Sequence, residues 1–88
     1  MIKAEVRIIN KLGLHARPAQ KLVKIASISK SQVMVIKNGQ RVNARSILGV
    51  LLLQAEQGSK ITIEVTGEDE EQVLTDLLNL INNKFDEE

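Results

Sequence analysis

Ile2, Ala4, Val6 and Ile8 alternate with Lys3, Glu5 and Arg7, and the same two-residue period returns in Lys60–Thr66, where Ile61, Ile63 and Val65 share one face. Successive side chains of a strand point to opposite faces, so each segment offers one face to a core and one to water. A parallel sheet covered on both sides would read instead as continuous apolar runs. The alternation therefore predicts an antiparallel sheet with a single covered face. Val33–Lys37 and Arg41–Asn43 supply two more strands around Asn38-Gly39, a dipeptide that accepts the positive φ values of a two-residue hairpin turn.

Three helices are predicted to cover that face. Ala19, Leu22, Val23 and Ala26 follow the i, i+3, i+4, i+7 spacing of an amphipathic helix. Pro18 fits only the first turn, where a missing N–H is tolerated, so this helix begins within a residue or two of His15. Ser46 is a good N-cap for the short apolar run Ile47–Gln54, with Gly58 ending the segment. Val73, Leu74, Leu77, Leu78, Ile81 and Phe85 mark a long last helix, with Glu68–Glu71 near its positive end and Lys84 near its negative end. The order βαββαβα describes an α+β fold: a two-layer, open-faced sandwich with a four-stranded antiparallel sheet covered on one face by three helices. Residues 1–88 read as one domain without repeat, linker or low-complexity tract, and only the last few acidic residues are expected to fray.

Composition narrows the function classes. With no cysteine and one histidine, neither a disulfide framework nor a metal centre is expected, and no cofactor is implied. A formal net charge of +1 and a single aromatic residue, Phe85, argue against nucleic acid as a partner. No stretch approaches the length of a membrane span, and the N-terminal residues lack the pattern of a signal peptide, so a cytoplasmic, non-inserted, monomeric protein is expected.

Chemistry concentrates in Gly13-Leu14-His15-Ala16-Arg17-Pro18-Ala19. A helix start offers unpaired amides and a partial positive charge of about half a unit, a seat for an anion. Pro18 has no donor, so the useful amides are those of Ala16, Arg17 or Ala19. The positive end also disfavours the imidazolium form of His15, leaving a lone pair able to attack phosphorus. Arg17 adds a planar, permanently charged fork that matches phosphoryl oxygens. Plainer roles remain open for each: Gly13 turning the chain, Arg17 solvated, Pro18 starting the helix.

This segment closely resembles the active-site motif of the HPr family, the histidine phosphocarriers of the phosphoenolpyruvate-dependent sugar phosphotransferase system. Asn43-Ala44-Arg45-Ser46-Ile47-Leu48-Gly49-Val50 resembles the family's second signature, and the order of elements agrees across essentially the whole chain. The resemblance implies that His15 accepts phosphate on Nδ1 from enzyme I and gives it to A domains of sugar permeases, with Arg17 assisting. It implies a carrier rather than an enzyme in the usual sense, since partners supply and remove the phosphoryl group. One departure is Leu12, where the family often has a small polar residue; any polar role there is absent or falls to Asn10. His15 itself is kept, unlike in the family's regulatory relatives that have lost it.

On periodicity alone, the run after Ser46 is either all core or partly exposed. Val50 and Leu53 can face the sheet, leaving Ile47, Leu48 and Leu51 as candidates for a partner-facing patch. The resemblance favours the patch, because the family's corresponding residues dock partners. It also implies that Ser46, otherwise an ordinary cap, can be phosphorylated by an HPr kinase/phosphorylase, with Arg45 as a neighbour able to accommodate the charge. An alternative from the same residues is a regulatory phosphoprotein that controls transcription or metabolic enzymes with little sugar transport.

Overall fold

The computed structural model describes residues 1–87. The elements are β1 (Ile2–Arg7), α1 (Ala16–Ile28), β2 (Ser31–Lys37), β3 (Gln40–Asn43), α2 (Ile47–Leu52), β4 (Lys60–Gly67) and α3 (Glu70–Asn82), followed by a 3-10 turn, Lys84–Asp86. The sheet runs β1-β4-β2-β3 and every pairing is antiparallel.

Register explains the core. Val65 of β4 lies between Ile2 and Val33, and Ile63 lies between Ala4 and Val35, so apolar residues align across three strands on one face. Onto that face α1 lays Ala19, Leu22 and Ala26, α2 lays Val50, and α3 lays Val73, Leu77 and Ile81, all buried. Full burial of each Leu, Ile or Val contributes about 1.5–3 kcal/mol relative to exposure. The hairpin turn takes the conformation its dipeptide favours, with Asn38 at φ 50° and Gly39 at φ 82°. Among the described residues no helix is long and apolar enough to cross a membrane.

Two boundaries differ from the sequence reading. The short helix stops at Leu52 instead of reaching Gln54, because Leu53 and Ala55 both turn into the core and Gln54 between them takes a left-handed φ of 51°. The last helix stops at Asn82, and Phe85 is not on it. Lys84, Phe85 and Asp86 are all left-handed, at φ 58°, 55° and 62°, and this reversal drives Phe85 into the core, fully buried. Left-handed backbone costs a non-glycine residue roughly 1–2 kcal/mol, which burying one phenylalanine ring offsets in part. Lys21 Nζ also donates to the Phe85 carbonyl at 2.7 Å. The acidic tail expected to fray is therefore held at Asp86 and Glu87, while Glu88 lies outside the described residues.

Candidate functional site

The loop Asn10–Leu14 is fixed before α1 begins. Gly13, at φ 70°, packs so closely on Ala55 and Glu56 that a Cβ there would meet the Ala55 carbonyl oxygen at 2.5 Å. Only glycine fits, on both conformational and steric grounds. The same carbonyl accepts from the Leu14 amide at 2.8 Å, and Leu14 is buried. Asn10, fully buried, donates from Nδ2 to the Gly13 carbonyl at 2.7 Å.

These bonds deliver His15 to the N-cap position in extended backbone, φ −81° and ψ −169°, with no side-chain bond to its own helix. Its side chain is 37% exposed. The His15 carbonyl accepts the Ala19 amide at 3.0 Å. Ala19 is thus not an available donor, contrary to one of the three amides expected from sequence. The amides of Ala16 and Arg17 have no backbone partner among the described residues, and both residues are exposed. Arg17 lines a shallow depression with Lys11, Leu12, Lys21, Asp86 and Glu87, three cations and two carboxylates, of which Lys21 and Asp86 are paired with each other. A helix start with two unpartnered amides and neighbouring cations can seat a dianion.

On its other side His15 borders a second depression with Leu12, Leu14, Leu51, Gln54, Ala55 and Glu56. Leu12, 70% exposed, therefore forms an apolar rim shared by both hollows. Asn10 does not stand in as a solvent-facing donor: its amide is buried and engaged.

Sequence reasoning missed Glu87. Its Oε2 lies 3.1 Å from His15 Nε2, and its Oε1 accepts from Asn10 Nδ2 at 3.0 Å. No local pattern announces a partner 72 positions away. The only available signal was Phe85, whose lone aromatic bulk demands burial just ahead of the acidic tail.

Ser46 is exposed and caps α2, its Oγ accepting from the Gly49 amide at 3.0 Å. Val50 and Leu53 are buried, Ile47 is 37% exposed and Leu48 64% exposed. Leu51 is half-buried and belongs to the hollow beside His15, while Leu52, absent from the expected patch, is 58% exposed. The early end of α2 accounts for Leu52: its side chain is on the last helical residue, beyond the reach of the sheet. Arg45 is engaged at the end of α1 through Nε and Nη2. Its guanidinium donates to the carbonyls of Ala26, Ser29 and Ser31 at 3.1, 2.9 and 3.2 Å, closing the C-terminal end of α1.

The chain as a whole matches known proteins. Residues 2–83 match the family model described as "PTS HPr component phosphorylation site". Phosphocarrier protein HPr of Cupriavidus necator is 47% identical over 87 residues, covering 99% of this chain and 98% of that one. An HPr crystal structure from Thermoanaerobacter tengcongensis superposes with a TM-score of 0.96 at 43% identity, covering 100% and 99% of the two chains. A dimer of HPr from the same organism matches with a TM-score of 0.79 at 42% identity, covering 99% of this chain and 100% of that one.

Proposed function

This chain belongs to the HPr family of the phosphotransferase system, and on that premise we propose that His15 accepts a phosphoryl group from enzyme I and passes it to the A domains of sugar permeases. The observation that carries the reading is a part-exposed histidine at the start of α1, followed by Arg17 and by two amides without backbone partners among the described residues. A ring lone pair attacks phosphorus as the donor's bond to phosphorus breaks, and the amides of Ala16 and Arg17 with the Arg17 guanidinium hold the phosphoryl oxygens. The reaction is half of a relay, so the chain acts as a carrier and not as an enzyme with a complete cycle of its own. In this reading the relay runs in the cytoplasm and the carrier is a monomer, since every group invoked at the site comes from one chain.

Docking falls to apolar residues of α2, the exposed Ile47 and Leu48 and the half-buried Leu51, extended by Leu52 and by Leu12, with Leu12 and Leu51 lining the hollow beside His15. A second role, regulation by phosphorylation of Ser46 through an HPr kinase/phosphorylase, is favoured by one observation: Ser46 is an exposed residue immediately before Ile47 and Leu48. Through it the protein would also control transcription or metabolic enzymes.

Incubation with enzyme I and phosphoenolpyruvate, followed by intact-mass measurement, tests the carrier role. One added phosphoryl group is expected, labile in acid and stable in base as a phosphoramidate is. Equal labelling of folded His15→Ala protein overturns the assignment.

A further inference from the structure

We infer that Glu87 is a positioning residue for His15, fixing which ring nitrogen carries the proton and balancing the charge that develops when the other nitrogen takes up phosphorus. The inference rests on the reading of His15 as a phosphoryl acceptor and assigns Glu87 a role in presenting the Nδ1 atom that the family resemblance implies. An ionised carboxylate only accepts hydrogen bonds. With Glu87 Oε2 at 3.1 Å, Nε2 of His15 must therefore be the donor, and in the neutral ring the lone pair is left on Nδ1.

The carboxylate is itself held. Its other oxygen accepts from Asn10 Nδ2 at 3.0 Å, and the second hydrogen of that amide goes to the Gly13 carbonyl at 2.7 Å. Asn10 is fully buried, so the series Asn10, Glu87, His15 begins on a fixed point of the loop that also positions the histidine. The approach of the tail is built as well. The left-handed run at Lys84, Phe85 and Asp86 reverses the chain after α3, and the amides of Asp86 and Glu87 close it on the carbonyls of Asn83 and Lys84 at 3.0 and 2.9 Å. Lys21 of α1 holds the turn at the Phe85 carbonyl and pairs with Asp86 at 3.8 Å. Residue 87 is thereby aimed at the start of α1.

The chemical consequence follows from counting protons. The Nδ1 lone pair forms the new nitrogen–phosphorus bond while the donor's bond to phosphorus breaks and its electron pair stays with the donor. Nε2 keeps its proton throughout, so the phosphorylated ring is an imidazolium, and the Glu87 carboxylate lies hydrogen-bonded to its positive edge. Onward transfer reverses these steps. A buried carboxylate behind a catalytic histidine in hydrolases acts in the same way, orienting the ring and stabilising its cation without taking the proton.

The test uses the full chain as wild type, Glu87→Ala, Glu87→Gln and Glu87→Asp, with potassium phosphoramidate as a small donor that needs no protein partner. The phosphorylated nitrogen is identified by phosphorus and nitrogen NMR, and circular dichroism verifies the fold. Wild type should react at Nδ1. Glu87→Ala and Glu87→Gln should yield a substantial Nε2 product, because Ala removes the acceptor that holds the proton on Nε2 and Gln replaces one of the two carboxylate oxygens facing Asn10 and His15 with an N–H donor, and Glu87→Asp should fall between. With enzyme I and phosphoenolpyruvate, the Ala and Gln variants should lower kcat about tenfold at unchanged KM, with partial recovery in Asp. An Nε2 product from wild type, or an unchanged Nδ1 product and unchanged kcat in every folded variant, overturns the inference. A shift in the phosphorylated nitrogen together with no enzyme I labelling of wild type would sustain the role of Glu87 and sink the relay reading.

Discussion

The starts of α1 and α2 resemble each other in outline and differ in use. Each begins on an accessible polar residue in extended backbone, His15 in one and Ser46 in the other. Ser46 turns its hydroxyl onto the Gly49 amide and completes its own helix. His15 makes no such bond, and the first amides of α1 stay without backbone partners. A side-chain cap contributes about 1 kcal/mol to a helix. At α1 that contribution is absent, and the loop takes over the task of holding the helix end through Gly13, Leu14 and Asn10. Securing a helix start from behind leaves its donors facing outward, which is what an anion requires; securing it from within makes it an ordinary terminus.

The largest effect that separates the two ends is expected for His15→Ala, which should abolish phosphoryl labelling yet shift unfolding free energy by no more than about 1 kcal/mol, since no helix cap is lost and only the part-exposed contact with Glu87 goes. A denaturant titration beside the mass measurement checks both halves; a strongly destabilised variant would mean that His15 holds its helix after all. Next in size, Arg17→Ala and Arg17→Lys should slow transfer from phosphorylated enzyme I by roughly 10–100-fold, the loss of a charge-assisted, fork-shaped contact. Rapid-quench kinetics read this, and wild-type rates in both variants would reduce Arg17 to a solvated neighbour.

At the second helix, Ser46→Asp should weaken enzyme I binding about tenfold by calorimetry without unfolding the domain, because the carboxylate must be desolvated beside Ile47 and Leu48. Equal affinities would leave Ser46 as a cap alone. Ser46→Ala should destabilise by about 1 kcal/mol and leave labelling unchanged, the mirror image of His15→Ala.

The smallest effect belongs to a third helix start. Asp69, the N-cap of α3, makes no side-chain bond to its own helix. Instead it accepts from the Lys30 amide and the Ser31 hydroxyl, and first the amide, then the hydroxyl, holds its carboxyl below the usual aspartate range. A carboxyl with a depressed folded-state pKa stabilises the fold above its unfolded pKa, and that contribution is lost as pH falls through the folded value. Asp69→Asn should therefore flatten the acid limb of a stability profile as pH falls below the ordinary aspartate value of about 4, a change that urea titrations across the acid limb will resolve. An unchanged acid limb would show that Asp69 is held equally in the unfolded chain.

Legibility in the sequence followed how local each cause was. Alternation along β1 and β4 and the Asn38-Gly39 turn concern neighbours, and the sheet and hairpin were readable from them. The motif around His15 was readable for the same reason: Pro18 and the apolar spacing after it locate a helix start. Phe85 misled because its spacing fits a helical face, while its bulk was accommodated by reversing the chain. Leu52 was hidden by the early end of α2, which depends on Leu53 and Ala55 both reaching the core. Glu87 and the guanidinium of Arg45 act through contacts made only when distant segments meet.

The strand order β1-β4-β2-β3 has a consequence for the time course of synthesis. β1 leaves the ribosome first, yet its sole neighbour in the sheet is β4, and β2 also waits for β4 as its second partner. Before then only the β2–β3 hairpin has a mate, and an isolated hairpin is marginal in water. Closing such long loops makes folding slow compared with a helical bundle of equal length. His15, made before β4, therefore waits on an unformed chain until that strand is complete, and under the proposed role a phosphoryl donor would meet a seat only on the folded domain.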